Sequence, residues 1–572
     1  MKIAVYTITK NEEKFIERWA SSCKDADYRI IVDTGSTDDT VKTGIEAGCD
    51  VYSIVINPWR FDDARNASLA LVPDDADYCI ALDADEVLTP GWREAFEKID
   101  PIITRPRYKY VWSWNSDGSE GLVYHGDKIH ARKGYRWRHP VHEVITPINE
   151  ELQGWVNLEI HHYPDNTKSR SQYLPLLELA VKERPEDDRN QFYLGREYMF
   201  NNMYDEAKKH LLKHLELSTW KAERSTCMRY LGRVTGDKEH WLLRACAEAP
   251  DRREPWVELS RFYYEKQSWP QCYSSALRAL QIQEKPLEYL CEAESWGSLP
   301  HDLCSIASWN LGLHKQAVDH GAAAFAVEPG NARLKNNLSL IYGLCATTKV
   351  SVIIPTKSNI SGLIECIESF IDSSIVEKIY VVADGNNAYN NIKDKVNNYQ
   401  KVVLSKVKEG SGIHVMWNKA LRETKNTHCL FLNDDVQISA EDIKVLSGAL
   451  DMQKEFGLIC PNYDARKFSA AFQLMDQTCR GRYDGTGGLA GFCMMLSKDL
   501  TPLWSFDESM KWWYGDDDLL NWTTRTVKKQ AVLTTLADCS MNASWTINND
   551  PPKDFASEVN KDKEIFMLKW AG

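Results

Sequence analysis

The chain has 572 residues, 43% of them apolar and 26% charged, with a formal net charge of −13. This is the balance of an ordinary globular protein, and its length calls for three or four domains. The negative charge speaks against general affinity for nucleic acid. No apolar run reaches the ~18 residues of a membrane span, and Met1-Lys2-Ile3-Ala4-Val5-Tyr6 enters a strand with no leader-like stretch or cleavage site.

Residues 1–165 alternate strand and helix signals. Strands are predicted near 2–8, 28–33, 51–56 and 78–83, and helices over 12–24, 38–48, 62–71 and 91–98. That alternation predicts a largely parallel sheet with helices on both faces, whose ligands sit at the carboxyl ends of the strands. Ser36 and Thr37 precede Asp38 and are positioned to cap the second helix. Two strands end in carboxylates: Ile30-Ile31-Val32-Asp33, and the run Tyr78 to Leu82 followed by Asp83-Ala84-Asp85.

Between about 170 and 345, β-branched runs give way to helical periodicity. Leu174, Leu177 and Val181 share a face. Tyr193-Leu194-Gly195-Arg196 returns 37 residues later as Tyr230-Leu231-Gly232-Arg233. Tyr204-Asp205-Glu206-Ala207 and Ser308-Trp309-Asn310-Leu311-Gly312 fit the same plan. Three or four tetratricopeptide-like repeats are expected.

At Lys349 the first pattern resumes. Val350 to Pro355 reads as a buried strand, Tyr380 to Ala383 ends in Asp384, and Cys429-Leu430-Phe431-Leu432 ends in Asn433-Asp434-Asp435. The expected partition is 1–165, 166–347 and 348–572. The 15 cysteines contain no Cys-x-x-Cys pair, and Cys79, Cys246 and Cys429 lie in apolar runs. They are read as buried thiols in a reducing compartment, hence a cytoplasmic protein.

Asp33 to Asp85 spans 52 residues and Asp384 to Asp435 spans 51, which points to one domain type used twice. Carboxylates at strand ends are hard oxygen ligands, suited to Mg²⁺ or Mn²⁺ holding a diphosphate. Asp33 and Asp384 would then contact the nucleoside.

Four elements of residues 1–145 together resemble family-2 glycosyltransferases of the GT-A fold. They are Thr9-Lys10-Asn11-Glu12-Glu13, Asp33-Thr34-Gly35-Ser36-Thr37-Asp38, Trp59 to Asn66, and Ala81 to Glu86. The C-terminal domain is similar to the same family through Val352 to Thr356, Asp384-Gly385-Asn386, Asn433-Asp434-Asp435, Gly487 to Phe492, Phe506-Asp507-Glu508 and Trp513 to Leu519. The resemblance implies an α/β plus all-α chain in which two GT-A domains flank the repeats, a nucleotide-sugar donor (most often a UDP-sugar), Mn²⁺ or Mg²⁺, and inversion at the anomeric carbon. It places Asp33 at the nucleoside, Asp83 at the diphosphate, Arg60 and Arg65 at phosphates, and Asp85 at the metal. His142, in His139-Pro140-Val141-His142-Glu143, would complete the metal shell. In the second copy it implies Thr356, Asp384 and Asp434 for the donor and Asp435 for the metal. Asp516 is the general base, with Asp517 the next choice.

Two departures qualify this. The first copy lacks the family's acidic base motif, leaving Glu143 and Asp127 as candidates. In the second, Gly515 stands where the motif has Glu, and Asn433 is a weak ligand. A loose G-x-G-x-x-A pattern at Gly485 to Ala490 lacks the βαβ context of a dinucleotide site. The acceptor is expected to be a macromolecule. Helical repeats favour a peptide or protein, while the basic and aromatic stretch Arg132 to His139 favours a hydroxymethylated DNA base; no membrane anchor is read. In a second reading only one copy is catalytic, and the other binds acceptor with the repeats.

Overall fold

In the computed structural model of the chain, which describes residues 1–115, 118–165, 173–463, 470–475, 491–541, 549 and 554–570, the apolar runs near each acidic cluster become parallel strands. Two units separate, Met1–Trp296 and Gly297–Gly572.

In the first unit Asp50–Ser53, Tyr28–Asp33, Ile3–Thr9 and Tyr78–Ala81 lie side by side in that order, all parallel, with Ile129–Ala131 antiparallel at the edge. Ile3, Val5, Ile31 and Ile80 fill one face and Ala4, Tyr6, Ile30 and Val32 the other. Such two-sided burial explains continuous apolar runs in place of alternation. The chain then enters a second sheet, in which Gln153–His162 runs antiparallel to Glu86–Leu88 and parallel to Arg105–Val111.

The second unit repeats this plan. Val402–Val407, Val376–Asp384, Val350–Thr356 and His428–Leu432 are parallel in the same spatial order, followed by antiparallel Cys493–Leu496. Here too a late strand, Gln530–Met541, runs antiparallel to the short strand after the acidic cluster, Val436–Ile438, and parallel to Phe456–Asn462. Both copies therefore deliver a lone Asp at the end of the second strand and a carboxylate cluster after the fourth.

Four antiparallel helix pairs form the middle of the chain among the described residues. They are Asp188–Phe200 with Tyr204–Leu217, Lys221–Thr235 with Lys238–Glu248, Arg253–Glu265 with Trp269–Gln281, and Leu299–Asn310 with His314–Val327. The first of the two repeated glycines, Gly195, has a steric reason. A Cβ on Gly195 would come within 2.8 Å of Leu211 on the paired helix, so only glycine permits this approach.

The cores are drawn differently from the change in periodicity. Val141 of the first α/β segment shares a cluster with Leu177, Phe192 and Leu211 of the helices. The last helices contribute Phe325, Leu338 and Tyr342 to the core beneath Val352, Leu430 and Val532. Helix Ala332–Cys345 sits so close to helix Ala440–Met452 that a Cβ on Gly448 would overlap the Tyr342 carbonyl. The helical stretch is thus divided between the two units.

The expected Ser36/Thr37 cap is not made. Helix Thr40–Glu46 begins at Asp39, and the Asp38 carboxylate accepts the Thr40 amide at 3.1 Å. Ser36 Oγ instead accepts from the Asn11 amide at 2.8 Å, tying the first two loops together. Cysteines of the described residues are in no disulfide. No helix among those residues is long and apolar enough to cross a membrane.

Candidate active sites

Strand-end geometry brings Asp83, Arg65, Glu143, Lys128 and Glu86 into one network. Arg65, buried on helix Phe61–Ala70, donates to Asp83 Oδ1 at 2.5 Å and to Glu143 Oε1 at 3.0 Å, with its guanidinium over the Trp137 ring. Lys128 donates to Asp83 Oδ2 at 2.5 Å and to Glu86 Oε1 at 2.8 Å. Burial alone pushes the Asp83 pKa up, but the charges of Arg65 and Lys128 win and hold it well below the usual carboxylate range. Asp83 therefore stays anionic. Glu143 is committed to a guanidinium, an unfavourable setting for a general base. The other candidate, Asp127, lies 3.6 Å from Arg105.

Asp85 meets a residue that sequence reading missed. His162, at the end of strand Gln153–His162, places Nε2 3.4 Å from Asp85 Oδ2, while its Nδ1 donates to the Trp112 carbonyl at 2.9 Å. A carbonyl can only accept, so Nδ1 carries a proton; Nε2 faces the carboxylate, donating to it in the protonated ring, and loss of that proton leaves the Nε2 lone pair for a cation. This is the usual orientation of a metal-binding imidazole. Burial lowers the His162 pKa, yet the Asp85 and Trp112 hydrogen bonds outweigh it and leave the pKa raised. Trp114 Nε1 donates to the His162 carbonyl and its ring stacks on Tyr163, so two tryptophans frame this position. The one sequence signal for His162 was a histidine pair closing a long alternating strand.

The remaining predicted residues are distributed as follows. Asp33 is buried and accepts the amides of Gly35 and Ser36, which shapes the turn after its strand. Arg60 is held by Asp62 at 3.0 Å and by Glu183, the last residue of helix Tyr173–Glu183, at 2.5 Å. His142 stacks on Tyr193 of the helical repeats at 4.3 Å. His139 and His142 both have positive φ, at 78° and 52°, backbone that non-glycine residues adopt when surroundings dictate it. The loop between them inserts Val141 into the helical core. Tyr135 and Trp137 of the basic stretch point inward from strand Tyr135–Arg138, while Arg136 and Arg138 point out. Those aromatics are core residues, so the stretch does not present interleaved rings for bases.

In the second copy Asp434, Asp435 and Asp384 are all buried. Asp384 Oδ1 accepts the Gly410 amide at 2.8 Å. Burial pushes the Asp434 carboxyl up to about 7; the Thr356 hydroxyl opposes this and the Asp435 charge adds to it. Thr356 and Asp434 are thus adjacent. Register aligns the copies: His162 stands opposite Glu86, and Met541 opposite Val436. Glu86 and Val436 each follow the first position of their clusters by three, so Met541 occupies the place of His162. The second copy carries no imidazole at that position.

Asp516 and Asp517 open helix Gly515–Asn521. A Cβ on Gly491 would fall 2.0 Å from Asp516 Oδ2, and one on Gly515 would fall 2.2 Å from His414 Nε2. The second contact explains the departure from the family pattern, because the His414 imidazole fills the space a side chain at 515 would take. Behind this loop lies helix Phe555–Lys569. Asp562, fully buried, accepts three backbone amides: Lys511 at 2.9 Å, Trp512 at 2.8 Å and Trp513 at 3.0 Å. Lys569 and Trp570 each bond Asp518 at 2.8 Å. Residues 485–490, the loose glycine pattern, lie outside the described residues, as do 487–490 of the acceptor-side motif.

The family model described as Glycosyl transferase family 2 matches residues 4–114 and 351–484. An uncharacterized glycosyltransferase of Rickettsia bellii is 36% identical over 108 residues, 19% of this chain and 35% of that protein. A TPR repeat-containing protein of Synechococcus elongatus is 25% identical over 208 residues, 32% of this chain and 49% of that protein. The chain thus spans half or less of the length of these curated relatives. Among solved structures, GalNAc-T7 with UDP, GalNAc and Mn²⁺ aligns at 12% identity and a TM-score of 0.29, covering 39% of this chain and 51% of that one.

Proposed function

We propose, from the membership of residues 4–114 and 351–484 in glycosyl transferase family 2, that this chain moves a sugar from a nucleotide-diphosphate donor to a hydroxyl of a macromolecule. The observation that carries the reading is the duplicated strand order, with Asp33 and Asp384 ending second strands and acidic clusters following the fourth. The functional partition is 1–165, 166–347 and 348–572, two donor-binding segments around a helical acceptor-binding array.

At the first site Asp33 receives the nucleoside of a UDP-sugar, Asp83 lies at the diphosphate, and Arg60 and Arg65 turn toward phosphates. Asp85 and His162 are the fitting oxygen and nitrogen donors for Mn²⁺ or Mg²⁺, with His142 the ligand expected by resemblance. At the second, Thr356, Asp384 and Asp434 hold the donor and Asp435 is the metal ligand. A bound divalent ion neutralises charge on the departing diphosphate. Asp516, or Asp517 beside it, takes the proton of the acceptor hydroxyl as that oxygen attacks the anomeric carbon. The bond from that carbon to the diphosphate oxygen breaks, a new one forms to the acceptor oxygen, and configuration inverts.

A peptide or protein acceptor is favoured by a cavity of about 380 Å³ on the helical array, lined by Arg229, Arg233, Arg261, Glu258 and Glu265. Its mixed charges suit a charged polypeptide segment. The free thiols of the described cysteines support a cytoplasmic location.

The test is a thermal-shift screen of nucleotide sugars with and without Mn²⁺ on the full chain, since a ligand of the native state raises its stability. A shift that needs both metal and one nucleotide sugar supports the reading, and no shift with any donor sinks it. The commitment of Asp83 and Glu143 to Arg65 favours a second reading, in which only the C-terminal copy is catalytic. Donor hydrolysis that survives Asp85→Asn but not Asp435→Asn would establish it.

A further inference from the structure

Away from the strand ends, three metal-capable side chains converge inside the helical array of the first unit. Asp188 opens helix Asp188–Phe200, His214 lies in the last turn of Tyr204–Leu217, and Glu223 lies in the first turn of Lys221–Thr235. One ligand atom from each lies within 4.8 Å of the other two.

The imidazole is the informative member. His214 is fully buried, and its Nδ1 donates to the backbone carbonyl of Asp188 at 2.9 Å. That bond leaves the Nε2 lone pair directed inward, as in metal-binding histidines oriented by a carbonyl. Nε2 has no hydrogen-bond partner. It faces Glu223 Oε2 at 3.9 Å, beyond hydrogen-bond reach but compatible with two ligands on one ion. Glu223 is 3% exposed and oriented from its other side by the Tyr289 hydroxyl at 2.7 Å. Asp188 Oδ1 accepts the Arg189 amide at 2.9 Å, which fixes that carboxylate too. A buried lone pair left without a partner carries a desolvation cost, and a cation at the centre satisfies all three groups.

We infer that Asp188, His214 and Glu223 bind a divalent transition-metal ion, with Zn²⁺ the best match to one imidazole nitrogen and two carboxylates, stapling three consecutive helices. The inference is independent of the glycosyltransferase reading, because it uses none of the strand-end residues.

The experiment uses the full chain carrying Asp85→Asn and Asp435→Asn, which silences the strand-end positions, after removal of metal by chelation. Equilibrium dialysis should find one tightly bound Zn²⁺ per chain. Co²⁺ in its place should give visible d–d absorption, and Zn²⁺ should raise the Tm. Adding His214→Gln should weaken binding by about 100-fold or more and abolish the Co²⁺ spectrum, with far-UV circular dichroism in chelator unchanged. Should that variant not fold, Glu223→Gln serves in its place. No Zn²⁺ bound at micromolar concentration, or one equivalent that persists in both variants, would overturn the proposal.

Discussion

His162 Nε2 stands 3.4 Å from Asp85 Oδ2, although the two residues are 77 positions apart in the chain. The pairing arises because strand Gln153–His162 lies antiparallel to Glu86–Leu88, with His162 opposite Glu86. It gives the first copy an imidazole beside its acidic cluster, and on the proposed function it bears on metal affinity. His162→Gln should weaken Mn²⁺ binding at the first copy by about 10–100-fold, and Asp85→Asn by more, as read by Mn²⁺ titration followed by electron paramagnetic resonance. The His162 pKa is raised above the ordinary imidazole value, so Mn²⁺ affinity should fall, with more protons released, as pH drops through that region. Unchanged affinity in His162→Gln would remove it from the site.

Asp434 should make the second unit less stable at high pH. Its folded pKa of about 7 lies above the ordinary value of 3.8, so between those limits the native state binds more protons than the unfolded one. Its contribution is fully present below the unfolded pKa and is lost as pH rises through about 7. From about pH 4 to about pH 8 the loss is on the order of 2–4 kcal/mol. Asp434→Asn should flatten this dependence in urea melts, and Mn²⁺ should offset it in the unaltered chain. Parallel pH profiles for the two proteins would refute the assignment.

Asp562 holds the backbone of Lys511, Trp512 and Trp513 ahead of Asp516 by accepting their three amides. Asp562→Ala strands three partly buried amides, at a cost of roughly 3 kcal/mol. Hydrogen exchange at 511–518 should accelerate, and kcat should fall more than the KM for donor rises. Intact protection of 511–518 in the variant would show that the helix is not what holds the loop.

On the proposed function, in which Asp516 acts on the acceptor hydroxyl, Asp516→Asn should lower kcat by about 10²–10⁴-fold while leaving the donor-dependent thermal shift in place. Asp517→Asn should cost less. A reversed order in steady-state assays would transfer the role to Asp517.

Much of the fold was legible in local pattern. Continuous apolar runs ending at Asp33, Ala81, Asp384 and Leu432 specify parallel strands buried on both faces, and equal spacing exposed the duplication. The Tyr-Leu-Gly-Arg repeat marked helices that approach through Gly195. Strand ends were therefore reliable predictors of where carboxylates gather.

What the sequence alone determined is this alternation, the duplication and the identity of the strand-end acids, because periodicity and spacing are local properties of the chain. Only tertiary structure decided that His162 meets Asp85, and that His142 stacks on Tyr193. It also decided that Trp137 is core, that Arg65 and Lys128 neutralise Asp83, and that the last helices share a core with the C-terminal sheet. Each of these depends on strand register or on packing between distant segments. Register assigns every side chain of a strand to one face or the other, and no short-range pattern encodes which distant partner a buried charge will find.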